Sequence, residues 1–435
     1  MGEHVDPVYA PGPRAVPPRS GEIRCRASTH HRRSRSVTVT RTPAVTRRAA
    51  EWHELALHAC AQPGLAVLLT AAGLAHPLRA IPGLGWVVSD PALARRIHGD
   101  SEHFSIVHDG ASGHWWAQML GDFVFEHFEG AKHTAFRGEV NDLFTRPRSE
   151  AMVERAVGPM LTALRADLTA GRTVDIAEFA RVFTTRIMAD LVGLPARPGD
   201  APHLDMFRAV EQLADLGKGN WATTVVPPRN IRRGRALAAR ISADVPSVYD
   251  TAASGTAIGR CRDLGFTLDE TRGIAVLLIV AGTITLASTM GRLVALLHDT
   301  DSHRRLLSDP TLIPDAIREG LRVTSSMPIV GRGVTADIEL AGRRLRAGDR
   351  VKIMTWSIAN APGHFDLDRG YIPETRQLWF GGGKHLCPGS ALTHVELTRF
   401  LDALLASGRP WSVTARRYRV NAFVPLYQRL DIRTV

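Results

Sequence analysis

The chain has 435 residues, 44% of them hydrophobic and 22% charged, and this is enough apolar matter for one large core. Its four cysteines (Cys25, Cys60, Cys261, Cys387) include no Cys-x-x-Cys, which excludes the usual zinc and disulfide frameworks and makes a reducing cytoplasm the expected compartment. The net charge of +11 is concentrated at the start, because residues 1–50 hold ten Arg against Glu3, Asp6 and Glu22, which is +7, and leave +4 for the rest.

Residues 11–48 are rich in Pro, Arg, Ser and Thr and lack periodicity. Such a composition buries too little apolar surface to order itself, so residues 1–50 are expected to be a solvated basic tail. Tyr9 is their only aromatic, which leaves no stacking pattern for nucleic acid, and they hold no apolar run of signal-peptide type. Helical spacing starts near Trp52 (Trp52, Leu55, Leu57, Cys60) and stops by Gly64. Trp86-Val87-Val88 reads as a short strand, and Asp90-Pro91 opens a helix through Ile97, with proline suited to the first turn. Within residues 128–144, His133 and Arg137 stand four apart and so share a helix face. By themselves they are an ordinary polar face of an amphipathic helix.

Four helical patterns follow: Met152–Leu168, Ile176–Leu191, His203–Leu216 and Ile231–Val248. Gly193-Leu194-Pro195 closes the second, and Gly217, Gly219, Pro227 and Pro228 break the stretch before the last. Gly273 to Gly291 carries no charge and is long enough to span a bilayer. Thr283, Thr285, Ser288 and Thr289 crowd its second half, so it reads as a helix from Leu264 to about His298 buried in a soluble protein, with no membrane span. Ala281-Gly282-Thr283-Ile284-Thr285 lies at its middle, where a threonine can bond back to its own helix. Glu319 and Arg322 share a helix face at three-residue spacing. Ile338-Glu339-Leu340, Gly342, Leu345, Gly348 and Val351-Lys352-Ile353 alternate as hairpin strands.

The most particular stretch is Phe380-Gly381-Gly382-Gly383-Lys384-His385-Leu386-Cys387-Pro388-Gly389. It sets a cysteine in a glycine-rich turn just before a helical pattern (Leu392, Val395, Leu397, Phe400, Leu401, Leu404). The glycines allow a tight turn with exposed N–H groups, and the coming helix presents its positive end to the sulfur. Such surroundings favour a thiolate, and a metal would complete its deprotonation.

This stretch resembles the haem-binding loop of the cytochrome P450 family, Phe-x-x-Gly-x-x-x-Cys-x-Gly with His frequent two before the Cys. The resemblance runs over about residues 52–435 through four ordered motifs: His-x-x-x-Arg, Ala-Gly-x-x-Thr, Glu-x-x-Arg and the cysteine loop. It implies a mainly α fold with a small β region, as a single domain over 51–435, around haem b. Cys387 is then the axial thiolate, with Phe380 beside the sulfur and Gly381 in the cradling turn. His133, Arg137, Arg332 and His385 are implied partners of the haem carboxylates. Ala281 and Gly282 would leave space for dioxygen, and Thr285 would relay protons. Met327, Pro328 and Ile329 would line the substrate side. Glu319 and Arg322 would lock the scaffold behind the loop, with His364 as third member and Arg369 as its competitor.

The resemblance implies insertion of one oxygen atom from O2 into a small apolar molecule. NAD(P)H electrons would arrive through a separate ferredoxin and ferredoxin reductase, since no flavin or iron–sulfur domain is fused to the chain. Docking is expected on the cysteine side, where Lys384 and Arg399 stand. One position departs from the pattern, because Ile284 replaces the acid that precedes the threonine, and a positioned proton donor is worth about 10²–10⁴ in rate. Water or a substrate hydroxyl then delivers the proton. The alternatives are a peroxide-using or isomerising enzyme and a non-catalytic haem-binding paralogue.

Overall fold

In the computed structural model, which describes residues 44–72, 76–218 and 225–435, the uncharged stretch becomes the middle of the 32-residue helix Leu268–Asp299. A capping box sets its start later than the periodicity suggests. Glu270 N–H donates to Thr267 Oγ1 at 3.3 Å, and Thr267 N–H donates to Glu270 Oε2 at 2.8 Å. The residues before it form a separate helix, Ala257–Asp263. The central helix is long and apolar enough to cross a bilayer, yet 72% of its apolar window is buried inside the protein. Helices Ala44–Ala61, Ile176–Val192, Ala201–Asp215 and Ile313–Thr324 pack around it and take up that apolar surface.

The first helix, Ala44–Ala61, starts ahead of the expected boundary at residue 50. The rest of the expected basic tail, residues 1–43, lies outside the described residues. Asp90 caps the helix Pro91–Gly99 by accepting the Leu93 N–H at 2.8 Å. The pattern 231–248 divides into Pro228–Ile241 and Val245–Val248, because Pro246 has no N–H to continue the ladder. Pro228, expected as a breaker, instead opens the first of these helices.

A five-stranded sheet runs in the order Leu78–Ile81, Gly85–Val88, Arg350–Ile353, Val330–Val334, Phe104–Ser105. Only the pairing of Gly85–Val88 with Arg350–Ile353 is parallel. Ile338–Leu340 and Arg343–Leu345 form the expected hairpin, whose two-residue turn has positive φ at Ala341 (49°) and Gly342 (69°). A three-stranded sheet joins Val174–Asp175, Tyr427–Thr434 and Trp411–Tyr418. The larger core surrounds the central helix, and a second one backs the five-stranded sheet. The cysteine loop lies between them, ahead of the helix Ser390–Leu405, which packs on Arg146–Thr169.

Candidate functional site

The cysteine loop is built from two 3-10 turns, Leu378–Phe380 and Gly383–His385. Cys387 N–H donates to the Phe380 carbonyl at 2.9 Å and closes the loop, while Gly381 N–H donates to Leu378 O at 2.9 Å. Gly383 is required twice over. Its φ is +60°, and a Cβ there would collide with the carbonyl of His98 at the end of the helix Pro91–Gly99. Phe380 packs against the main core and its ring tilts toward His394 at 5.8 Å. Burial pushes the Cys387 thiol up, against the Gly389 N–H and the Arg137 charge, which pull it down.

Five basic side chains from four elements meet beside this loop. His133 and Arg137 come from the helix Gly130–Val140, Arg332 from the strand Val330–Val334, His385 from the loop and His98 from the helix Pro91–Gly99. The rings of His133 and His385 lie 4.5 Å apart. Arg137 Nη2 donates to the Leu386 carbonyl at 2.6 Å. Arg332 donates to Gly331 O at 2.9 Å, and its Nη2 lies 3.1 Å from His98 Nδ1. No carboxylate hydrogen-bonds to any of these five among the described residues. Glu129, whose charge acts on Arg332, accepts the Ile106 N–H through Oε1.

The electrostatics record that deficit. Burial, then the Arg332 charge, pushes His98 down to about 3. Burial, then Arg332, His133, Arg137 and His98, pushes His385 down to about 3. His133 is lowered by burial and by Arg137, and burial lowers Arg332 to about 10. His98 Nε2 is buried and has no partner among the described residues.

On the central helix, Ala281 is exposed and Thr285, one turn on, is half-buried, so they share the open face. Thr285 Oγ1 donates to the Ala281 carbonyl at 2.6 Å, the local bond open to any helical threonine. Gly282 does not open space on that face. A Cβ there would collide with Met188 of the neighbouring helix Ile176–Val192, so its small size serves helix–helix packing. Ile284 is 2% exposed in the main core. A hydroxyl cluster that no motif marked adjoins Thr285: Ser326 Oγ donates to its carbonyl at 2.9 Å and lies 2.8 Å from Thr289 Oγ1.

Behind the loop, Arg322 grips Glu319 with two bonds of 2.8 Å and also donates to Ala359 O at 2.7 Å and His364 O at 2.8 Å. The third side chain is Arg369, whose Nε lies 3.2 Å from Glu319 Oε2. The expectation of His364 is thereby corrected, since it contributes its carbonyl while its imidazole pairs with Glu51.

A protein-family model described as Cytochrome P450 matches residues 259–407. Cytochrome P450 105A3 of Streptomyces carbophilus is 31% identical over 337 residues, covering 73% of this chain and 78% of that protein. The chain belongs to the cytochrome P450 family. The Vitamin D3 dihydroxylase of Streptomyces griseolus is 28% identical over 368 residues, covering 79% of this P450 and 85% of that enzyme. A mutant of P450 EryK in complex with erythromycin B superposes with a TM-score of 0.71 at 22% identity, covering 86% and 97% of the two chains, which shows the shared fold. As a P450 the protein is a haem-dependent monooxygenase.

In this P450, sequence reasoning missed His98, Ser326 and Thr289 as neighbours of motif residues. The only local signal for His98 is the Asp90-capped helix that ends beside it. A cleft of about 730 Å³ lies between the start of the helix Pro63–Ala72 and the turn at Val420-Asn421, with Lys218 on its rim. None of the motif residues lines it.

Proposed function

We propose that this chain holds haem b through Cys387 and inserts one atom of dioxygen into a small apolar organic molecule. The observation that carries the reading is a lone sulfur in a glycine loop beside a basic cluster to which no carboxylate hydrogen-bonds among the described residues. Haem brings an iron that accepts a thiolate and two carboxylates that need cationic partners in a partly dry site. The donor set fits that group: Cys387 for the iron, and His133, Arg137, Arg332 and His385 for the carboxylates. When bound, haem supplies the activation of dioxygen, which thiolate ligation favours.

The chain's own residues then have separable tasks. The Gly389 N–H and the positive end of Ser390–Leu405 favour the Cys387 thiolate. Arg137, bonded to Leu386 O, holds the residue next to Cys387, and Gly381 and Phe380 hold the turn. Ala281 keeps the open face of the central helix clear. Thr285 moves a proton by releasing its bond to the Ala281 carbonyl. Ile284 keeps the opposite side dry, so water or a substrate hydroxyl on the open face delivers that proton. Glu319, Arg322 and Arg369 brace the scaffold.

Electrons are assigned to an outside source, as the family resemblance implies. We take that source to be NAD(P)H through a separate ferredoxin and ferredoxin reductase. The docking face is the cysteine side, where Lys384 is exposed; Arg399 there is paired with Glu154 at 2.6 Å. The proposed location is the cytoplasm, with neither nucleic acid nor membrane as partner.

The test is the absorption spectrum of the reduced haem-loaded protein with carbon monoxide. The red-shifted Soret band of thiolate ligation is expected, and it is lost in Cys387→Ala. A band at the position of histidine ligation in the unaltered protein overturns the reading. Ile284 favours one second reading, a peroxide-driven enzyme, which predicts turnover with hydrogen peroxide in the absence of ferredoxin and NAD(P)H.

A further inference from the structure

We propose that His98 is a fifth donor to the haem carboxylates, acting as a neutral imidazole through Nε2. The inference rests on the haem-thiolate reading and adds to it a residue outside every motif. The argument starts from the tautomer. Arg332 Nη2 lies 3.1 Å from His98 Nδ1, and a guanidinium has only protons to give. Nδ1 therefore accepts, and the remaining ring proton sits on Nε2. A second proton is opposed by burial and by the Arg332 charge, so the ring stays neutral at pH 7.

The Nε2–H is thus a donor aimed at nothing. His98 is 5% exposed, and its Nε2 has no acceptor among the described residues. Buried donors in native proteins are nearly always partnered, so an acceptor is missing. The surroundings select its charge. Arg332 touches the ring, and His98 backs onto the loop that carries His385, whose ring lies 4.5 Å from that of His133. The nearby Glu129 carboxylate accepts the Ile106 N–H through Oε1 and makes no hydrogen bond to His98. Backbone geometry places the ring at the cysteine loop, since a Cβ on Gly382 would meet His98 Cβ at 3.1 Å and one on Gly383 would strike the His98 carbonyl. An anion of carboxylate type, brought to that loop, completes the set.

The experiment measures haem transfer from the loaded protein to excess apomyoglobin in His98→Leu and His98→Gln. Leucine fills the space without a donor. Glutamine accepts from Arg332 through its oxygen and donates through its amide nitrogen. A hydrogen bond to a charged group corresponds to about tenfold to hundredfold in equilibrium, so His98→Leu is expected to lose haem by roughly that factor faster. His98→Gln is expected to stay close to wild type. Loading with the dimethyl ester of haem removes the carboxylate charges, and the gap between wild type and His98→Leu should then shrink. Release from His98→Leu at the wild-type rate overturns the proposal. So does a gap that is the same with the ester, which would mark a purely structural role. If wild type holds haem through Cys387 and the His98 variants behave alike, the His98 assignment alone falls. If wild type takes up no haem, both readings fall together.

Discussion

Two buried charged clusters flank the cysteine loop and differ in one respect. In the cluster of Glu319, Arg322 and Arg369, both carboxylate oxygens and the Arg322 fork are engaged, and Asp366 N–H adds a bond to Glu319 at 3.1 Å. In the cluster of His98, His133, Arg137, Arg332 and His385, two guanidinium groups and three imidazoles meet with no carboxylate hydrogen-bonded to them, their pKa values are driven down, and a ring nitrogen lacks a partner among the described residues. A buried charge that is fully satisfied by the chain is scaffold. One that the chain leaves unsatisfied carries a folding cost, which points to a ligand. The second cluster is therefore where an anion is expected, although each cluster holds two arginines.

Arg322→Ala set against Arg332→Ala in the apoprotein is the strongest way to break this contrast. Arg322→Ala leaves Glu319 buried and half-paired and should cost about 3–5 kcal/mol in urea unfolding. Arg332→Ala removes a desolvated cation to which no carboxylate hydrogen-bonds among the described residues and should change apoprotein stability by no more than about 1 kcal/mol, while weakening haem retention. Equal losses of stability would erase the distinction. Gly383→Ala tests the contact between the loop and the helix Pro91–Gly99. Its positive φ and the blocking His98 carbonyl predict a loss of about 1–3 kcal/mol together with a lower haem content per chain.

The pH dependence follows from His98. Its folded pKa, about 3, lies below the unfolded value of 6.5, so the unfolded chain binds the proton first as pH falls. The contribution is complete above pH 6.5 and is lost as pH drops toward 3. Between about pH 6.5 and 5.5 the apoprotein should lose about 1 kcal/mol more than His98→Gln does, as read from urea midpoints. Haem carboxylates raise the folded pKa, so the loaded protein should lose less over the same interval. The smallest effect belongs to the exposed pair of Arg399 and Glu154. Arg399→Ala should change stability by less than about 0.5 kcal/mol, and any effect should appear in the dependence of turnover on ferredoxin concentration.

The residues closest together in sequence were the most legible. The cysteine loop could be read because its glycines answer local demands on the backbone, and Glu319 with Arg322 because three-residue spacing on a helix makes them neighbours without help from the rest of the chain. The central helix was legible from its uncharged length, and its start was corrected only by a cap. Relations between distant segments were not available in this way. The choice of Arg369 over His364 depends on how the chain after Ala359 turns back onto Glu319. Gly282 answers to Met188 on another helix, and His98 meets Arg332 because a strand and a short helix converge on the loop. Local spacing is set by backbone geometry that every sequence shares. The pairing of remote side chains is set by how the elements pack, and it was packing that left one buried cluster satisfied and the other open.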